Sequence, residues 1–300
     1  MQIKNVHLVY FSPTGTTKTV IRAAAKYFST EIWEHDITDY ATRNVQLKFE
    51  ADDFIILGFP VYGGRVPQTF RERLNGIKGQ QTLAALVATY GNREYEDSLF
   101  EMKEIVKDNG FLPVGAAAVV AEHSVIRSIA VGRPDVNDIA FIEDFCSELK
   151  MKIASITSKE EIHKLDVPGK KPYRRYIKLP MAPVVTDSCT ACGLCEKKCP
   201  VGAISKQNPR KTDKEKCIGC MRCVRLCPYK ARQLPKLKMA VGQLYLSGAA
   251  RIRKEPQMFL ETGLYESKRE HFYPTELWLL PLRMARDGLP WFWLYSNYAL

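Results

Sequence analysis

The chain has 300 residues, 46% of them apolar, and its 44 Lys and Arg against 33 Asp and Glu give a formal net charge of +11. This length is too great for one small module and permits two modest domains plus extra segments, whose cores the apolar residues can fill. The start of the chain runs into a strand pattern rather than an apolar signal segment, so we expect a cytoplasmic protein rather than a secreted, disulfide-bonded one.

Strand-like and helix-like segments alternate through the first half of the chain, as they do in an open parallel sheet. We predict strands near Val6–Phe11, Glu31–Asp36, Asp53–Gly58, Thr82–Ala88 and Pro113–Val120. We predict helices near Thr16–Phe28, Gln68–Leu74, Glu94–Asn109 and Asn137–Ile156. This alternation favours an α/β doubly wound, five-stranded parallel sheet, whose ligand lies at the carboxyl ends of the strands.

The first predicted strand is followed by a hydroxyl-rich loop that leads into a helix, Ser12-Pro13-Thr14-Gly15-Thr16-Thr17-Lys18. Hydroxyl groups around a glycine at a helix N-terminus place several hydrogen-bond donors around one point, which predicts a phosphate site. The loop is neither a Walker loop nor a dinucleotide fingerprint, because the glycine patterns of both are missing. An ordinary Ser/Thr-rich helix cap is the alternative.

Two further loops follow the third and fourth predicted strands and carry glycines next to tyrosines. Tyr62 lies beside Gly63 and Gly64, and Tyr90 lies beside Gly91. Glycines let backbone amides approach a flat ring closely, and either tyrosine can stack on such a ring or pack on its loop neighbours. Arg65 either tunes the electronics of the bound ring or pairs with a surface acid.

Eight of the nine cysteines form two runs with one spacing, C-x2-C-x2-C-x3-C-P, 28 residues apart. This spacing holds [4Fe-4S] clusters in two-cluster ferredoxins, where the fourth thiolate of each run ligates the other cluster. The predicted ligand sets are therefore Cys189, Cys192, Cys195 and Cys227 for one cluster, and Cys217, Cys220, Cys223 and Cys199 for the other.

Zinc and disulfides explain these runs less well. Structural zinc needs four ligands per ion and leaves the third cysteine of each run and the trailing proline unexplained. Disulfides require an oxidising compartment. The ninth cysteine, Cys146, lies in a helical pattern and is interpreted as a small buried apolar side chain.

Residues 1 to about 155 resemble a flavodoxin, because Ser12-x-Thr14-Gly15-x-Thr17 matches that family's S/T-x-T-G-x-T phosphate loop. Residues 183 to 232 resemble a two-cluster bacterial ferredoxin. Their order resembles the fused flavodoxin and ferredoxin electron-transfer proteins of anaerobes. The resemblance implies a flavodoxin-like sheet of strand order 2-1-3-4-5, followed by a small α+β ferredoxin domain that holds two [4Fe-4S] clusters.

The resemblance also implies FMN and assigns residues to it. The phosphate would lie on Ser12, Thr14, Gly15, Thr16 and Thr17. The isoalloxazine ring would lie on Pro60, Val61, Tyr62, Gly63, Gly64, Thr89, Tyr90, Gly91 and Asn92. The domains expected are residues 1–156 for FMN, a basic linker at 157–182, the ferredoxin at 183–235 and an extension at 236–300.

Charge is unevenly distributed along the chain. Residues 1–150 carry 16 basic and 20 acidic side chains, whereas residues 151–300 carry 28 and 13. We interpret the excess of basic residues as a surface that orients an acidic redox partner or seats the ferredoxin half on the acidic half. The basic and aromatic linker at 170–176 also invites a nucleic-acid interpretation, which we set aside because no recognition fold accompanies it.

The C-terminal segment gives the weakest signal. Its two apolar runs, 277–282 and 289–295, are each shorter than the ~20 residues that a spanning helix needs. No transmembrane segment is expected, and the aromatic tail either packs on a domain or partner or touches a membrane surface.

Three functions remain open at this level: an electron carrier, a flavin enzyme that acts on a small organic substrate, and a redox sensor. The carrier needs no acid, base or nucleophile, because its cofactors supply the chemistry. The enzyme would need polar groups above the flavin, for which the candidates are Arg65, Arg93, Glu122, His123 and Ser124.

Overall fold

A six-stranded sheet forms the centre of the computed structural model, which describes residues 3–28, 31–162, 164–176 and 181–260. The strands within these residues are β1 (Asn5–Tyr10), β2 (Glu31–Asp36), β3 (Leu47–Phe49), β4 (Asp53–Pro60), β5 (Ile77–Gly79), β6 (Thr82–Tyr90), β7 (Phe111–Val120), β8 (Val184–Val185), β9 (Arg232–Gln233) and β10 (Gln257–Phe259). The α-helices are α1 (Thr16–Ala25), α2 (Gln68–Leu74), α3 (Ser98–Asp108), α4 (Val136–Ser155), α5 (Leu194–Lys197), α6 (Arg222–Leu226) and α7 (Lys236–Ala249).

The central sheet has the strand order β10-β7-β6-β4-β1-β2. Five of its strands, β1, β2, β4, β6 and β7, are parallel to one another. The short strands β3 and β5 form a separate two-stranded sheet. Counted among the five strands predicted from the sequence, this order is 2-1-3-4-5. The flavodoxin-like fold is therefore present. The strand order reverses between β1 and β4, so the carboxyl ends of these two strands border the crevice where ligands bind in such sheets.

Alternate residues of each central strand enter two different cores, because side chains of a strand point to opposite faces. Val9 pairs with Leu57, and both belong to the core that α2 and α3 cover. Leu8 pairs with Ile56, and both belong to the core covered by α1 and α4. Burial on both faces explains the continuous apolar runs of β4 and β6.

The sheet has one strand more than predicted. β10 pairs antiparallel with β7, so the C-terminal extension contributes an edge strand to the α/β half. The side chain of Asn92 holds this extension, because its amide donates to the carbonyls of Ala250 and Ile252, both at 2.8 Å, and its oxygen accepts from the Lys254 amide at 3.0 Å. The prediction of five parallel strands therefore missed this antiparallel edge.

The segment predicted as a basic linker packs against α3 over its described part. Leu165 and Val167 are buried in the core under α3, and the Lys103 ammonium donates to the Leu165 carbonyl at 3.2 Å. The Arg174 amide donates to the Asp97 carboxylate at 2.7 Å. The domain boundaries remain a prediction.

The ferredoxin-like segment is built from two short repeats. β8 and β9 pair antiparallel, and α5 and α6 pack together. The aromatic runs at 277–295 lie outside the described residues. No helix among the described residues is long and apolar enough to span a membrane.

We predict that Gly58→Ala destabilises the fold. An added Cβ would lie 2.7 Å from Cγ2 of the buried Ile21, a β-branched side chain with little freedom to move. Overpacking of this kind costs about 1–3 kcal/mol. Thermal unfolding followed by circular dichroism should show a lower midpoint. Gly248→Ala is the matched control, because nothing lies within 4 Å of its added Cβ, and we expect a gain of about 0.4–1 kcal/mol. Equal midpoints for the two variants would contradict the prediction.

Candidate functional site

The eight clustered cysteines line two separate cavities. We call the first the outer site; its thiols come from Cys189, Cys192, Cys195 and Cys227. We call the second the inner site; its thiols come from Cys199, Cys217, Cys220 and Cys223. Each cavity therefore combines three cysteines of one run with the last cysteine of the other, which is the grouping that the spacing predicts.

The two runs fold alike because both place residues with positive φ at equivalent positions. In the first run these are Ala191 (φ 55°) and Gly193 (φ 78°), and in the second they are Gly219 (φ 64°) and Met221 (φ 61°). In both runs the first of these residues lies two positions after the first cysteine, and the second lies four positions after it. These left-handed turns wrap the backbone around the cavity and lead into α5 and α6. The duplication in sequence is therefore a duplication in structure.

Backbone amides point at the sulfur atoms of both sites. The Ala203 amide donates to Sγ of Cys199 at 3.2 Å, and the Ala231 amide donates to Sγ of Cys227 at 3.3 Å. Burial raises the pKa of the Cys223 thiol to about 12. Metal binding at such a thiol must displace its proton, so loading the site releases protons. Among the described residues, no three His, Cys, Asp or Glu side chains converge closely enough to hold a single metal ion.

The hydroxyl-rich loop lies at the carboxyl end of β1, at the N-terminus of α1. Oγ of Ser12 accepts from the Lys18 amide at 3.0 Å, which closes the loop onto the first helical turn. Gly15, with a φ of 90°, is exposed, and an added Cβ there would meet no atom within 4 Å. Thr14 and Thr16 are half-buried on either side of it. The loop is thus open to solvent at Gly15, with hydroxyl side chains and first-turn amides on either side of it.

Thr17 has a different position from the other residues of this loop. It is buried, and its hydroxyl lies 2.6 Å from the Thr89 hydroxyl at the end of β6. The Thr89 hydroxyl also lies 3.4 Å from the Phe59 carbonyl of β4. Thr17 therefore ties the loop to two neighbouring strands and is not open to a ligand.

The loop after β4 borders a cleft that reaches the ferredoxin-like half. Tyr62 and Arg65 exchange backbone hydrogen bonds of 3.0 and 3.2 Å around Gly63 and Gly64, whose φ values of 59° and 80° favour glycine. Burial is the main cause that raises the pKa of the Tyr62 phenol, and the nearby Cys220 and Tyr176 raise it further. Several residues predicted for the ring and some from other segments line the cleft: Val61, Tyr62, Gly63, Gln68, Thr69, Glu72, His123, Ser124, Val125, Tyr176, Met181, Val201, Glu215, Lys216, Ile218 and Gly219.

In the loop after β6, Tyr90 follows the second of its two alternatives, packing on loop neighbours. Tyr90 is only 4% exposed, and its ring packs edge-on against Tyr95 at 5.3 Å in the core, so it is not open for stacking. The Asn92 side chain holds the C-terminal extension, as described above. Gly91 lies against the His123 ring, which leaves no room for a side chain. No local pattern in the sequence indicates these long-range contacts.

Arg65 pairs with an acid, but a buried one rather than one on the surface. Its guanidinium donates to both carboxylate oxygens of Glu101, at 2.8 and 2.7 Å, and stacks 4.6 Å from the Tyr173 ring centre. The hydrogen bonds to Glu101 are the main cause of the raised pKa of Arg65. The guanidinium is therefore fixed on the α3 side of its loop.

Other substrate candidates are also engaged. Arg93 pairs with Glu96 and Glu122 pairs with Arg127. Nδ1 of His123 accepts a hydrogen bond from the Ile126 amide at 3.0 Å. Burial, and to a smaller extent the positive charge of Arg93, lowers the pKa of His123 to about 4. His123 is thus a neutral loop residue over most of the pH range. Of the five candidates, only His123 and Ser124 line the cleft.

A buried polar network that the sequence did not reveal joins the inner site to the α/β half. Arg73 of α2 is 2% exposed, and its guanidinium donates to the carbonyls of Ile37, Asp39 (3.0 Å) and Pro200 (2.5 Å). The Asp39 carboxylate accepts from Lys198 at 2.8 Å and from Arg222 at 2.6 Å. These residues hold the last turn of the first cysteine run and the start of α6 against the loop after β2.

Comparison with known proteins identifies the cysteine-rich segment. Residues 188–232 match the model of the 4Fe-4S dicluster domain. Ferredoxin-2 of Chlorobaculum tepidum is 40% identical over 55 residues, which cover 16% of this chain and 89% of that protein. One component of the ion-translocating oxidoreductase complex of Methanosarcina acetivorans is 47% identical over 47 residues, or 15% of this chain, but the chain spans only 18% of that protein's length.

Solved structures align with the other half of the chain. A flavodoxin of Streptococcus pneumoniae aligns with 49% of this chain and 99% of its own, with a TM-score of 0.36 and 17% identity. An FMN-bound flavodoxin of Fusobacterium nucleatum aligns with 50% of this chain and 99% of its own, with a TM-score of 0.35 and 17% identity. By the dicluster match and the observed strand order, the chain belongs through residues 188–232 to the two-cluster [4Fe-4S] ferredoxins, here fused to a flavodoxin-like α/β sheet.

Proposed function

We propose that this chain is an electron-transfer protein that passes electrons between FMN, two [4Fe-4S] clusters and an external redox protein. One observation carries the proposal: a cleft at the carboxyl end of the flavodoxin-like sheet shares the lining residues Val201, Ile218 and Gly219 with a cavity lined by four thiols. The two kinds of site are therefore neighbours in one compact unit.

Each four-thiol cavity fits a cluster. The outer and inner sites supply the four thiolates that a [4Fe-4S] cluster requires, with backbone amides directed at the sulfur atoms. Cys199 and Cys227 are the crossed ligands in this assignment. When bound, each cluster exchanges one electron at a time.

The hydroxyl-rich loop fits the phosphate of FMN. The open surface at Gly15, the half-buried hydroxyls of Thr14 and Thr16 and the first-turn amides of α1 suit a phosphate dianion. Tyr62 and the two glycines after it would border the isoalloxazine ring. FMN would supply chemistry that exchanges electrons singly or in pairs, which lets the chain couple a pair to two single transfers.

The partner proposed is an acidic redox protein. The basic excess of the C-terminal half supports this choice, because complementary charge steers encounter between partners. The enzyme alternative finds less support, because Arg65, Arg93 and Glu122 are each engaged in ion pairs within the protein.

Analysis of iron, sulfide and flavin in protein purified without oxygen tests the proposal. We expect about eight irons, about eight sulfides and one FMN per chain. Zinc in place of iron, or a chain that takes up no flavin from an excess of FMN, would contradict it.

We predict that the fourth cysteine of each run is a ligand of the cluster that the other run holds. Cys199→Ser should damage the cluster of the inner site, and Cys227→Ser the cluster of the outer site, because each thiol lines the cavity of the other run. In the electron paramagnetic resonance spectrum of the reduced protein, each of the two variants should lack the signal of one cluster. Cys146→Ser is the control, since Cys146 is buried in the core that α1 and α4 cover and lines neither cavity, so both signals should remain. If Cys199→Ser lost the signal that Cys189→Ser loses, and Cys227→Ser the signal that Cys217→Ser loses, each mutation would harm the cluster of its own run, which would refute the crossed assignment.

We predict that Thr14→Ala weakens FMN binding about tenfold to a hundredfold, because one charge-assisted hydrogen bond to a phosphate contributes about 1.5–3 kcal/mol. Riboflavin, which lacks the phosphate, should bind the variant nearly as well as the parent. Fluorescence titration of the flavin-free protein gives both affinities. Thr19→Ala, an exposed hydroxyl one turn further along α1, should change neither by more than about twofold. If Thr14→Ala weakened both flavins equally, the loop would be a scaffold and not a phosphate site.

A further inference from the structure

The two thiol-lined cavities differ in their surroundings although their cysteine runs are alike. Val201, Ile218 and Gly219 line both the inner site and the cleft of the α/β half. Ile218 also packs against the core under α2 and α3. The inner site is therefore separated from the cleft by one layer of residues, whereas the residues that line the outer site are not shared with the cleft.

The inner site is also the more enclosed of the two. Its Cys199 and Cys220 are each 8% exposed, and Pro183, Pro200 and Met221 around them are buried. The network of Arg73 and Asp39 holds the backbone on this side against the α/β half. A second protein therefore cannot approach the inner site from the side that the α/β half covers.

The outer site reaches the surface with apolar residues. Cys192 is exposed, and two large apolar side chains that line the same cavity, Leu194 and Tyr229, are 37% and 53% exposed. Exposed apolar side chains next to a redox site suit the dry centre of a protein contact.

Basic side chains accompany this apolar centre. Lys197 lies one turn after Leu194 on α5, and Lys230 follows Tyr229 in the turn that the Cys227 carbonyl closes at 3.1 Å. Both lysines are exposed. Residues 183–232 as a whole contain eleven Lys and Arg against four Asp and Glu. An oxidised [4Fe-4S] cluster with its four thiolates carries a net charge of roughly −2, so this half of the chain stays positively charged when both clusters are bound.

We propose that electrons pass through the two sites in a fixed order, with the inner site next to the flavin cleft and the outer site as the docking point of an acidic redox protein. The docking surface consists of Leu194 and Tyr229 at its centre and Lys197 and Lys230 at its rim. At this surface one electron leaves or enters the outer cluster, and a one-electron metal centre of the partner gains or loses it. This inference rests on the proposed function.

Binding of zinc-substituted rubredoxin, an acidic and redox-inert probe, tests the docking surface. The holoprotein with Lys197→Glu and Lys230→Glu should bind the probe about three- to thirtyfold more weakly at ~10 mM ionic strength by isothermal titration calorimetry, because two rim charges are reversed. The control, Lys26→Glu with Lys48→Glu, makes the same charge change at two exposed lysines of the α/β half and should alter the affinity less than about twofold. Equal weakening in both variants, or no binding of the probe by the parent, would overturn the docking surface.

The order of the sites has its own test. A soluble dysprosium chelate speeds the relaxation of paramagnetic centres near the surface, so it should affect the signal of the outer cluster more than that of the inner cluster. The signals are assigned with Cys227→Ser and Cys199→Ser. An equal or larger effect on the inner cluster would overturn the order. Iron, sulfide and FMN contents are measured on the same samples, so that a failure of the proposed function, seen as missing cofactors, is distinct from a failure of this inference.

Discussion

The relative placement of the two halves depends on one buried guanidinium. Arg73 lies between the loop after β2 and the end of the first cysteine run and donates to carbonyls of both, including that of Pro200 at 2.5 Å. Burial lowers its pKa to about 10, so the group stays charged at neutral pH. A buried charge is costly unless it is well hydrogen-bonded, and the Pro200 carbonyl contributes to offsetting that cost only while the two halves stay together. Because Pro200 directly follows Cys199, the same bonds fix one wall of the inner site.

Much of the fold follows from local patterns in the sequence. The apolar runs of β4 and β6 predict strands buried on both faces, and the structure places them at the centre of the sheet. The cysteine spacing predicts the two ligand groups, because three closely spaced thiols of one run wrap a single cavity while the fourth is carried to the other. These features could be predicted since the residues that define them lie within a repeat or a strand.

The features that were missed depend on contacts between distant residues. β10 is three residues long and carries no distinctive pattern, and Asn92, about 160 residues earlier, holds the segment that precedes it. The partners of Arg65 and Arg73 are likewise on other elements, Glu101 on α3 and Pro200 in the ferredoxin half. An arginine is ordinarily predicted to be a surface charge, so its burial cannot be seen until the fold brings the carboxylate or the carbonyls to it.

The same long-range contacts make two nearly identical repeats unequal. Asp39 pairs with Lys198, which precedes Cys199, and with Arg222, which precedes Cys223, so a carboxylate of the α/β half compensates these two basic residues beside the inner site. The lysines at the outer rim, by contrast, are exposed to solvent. Solvent exposure and nearby charge are two of the factors that set the potential of an iron–sulfur cluster, so the two groups of thiols lie in different surroundings. The duplicated cysteine motif thus provides two equivalent groups of four thiols, and the sheet against which one of them packs makes their surroundings different.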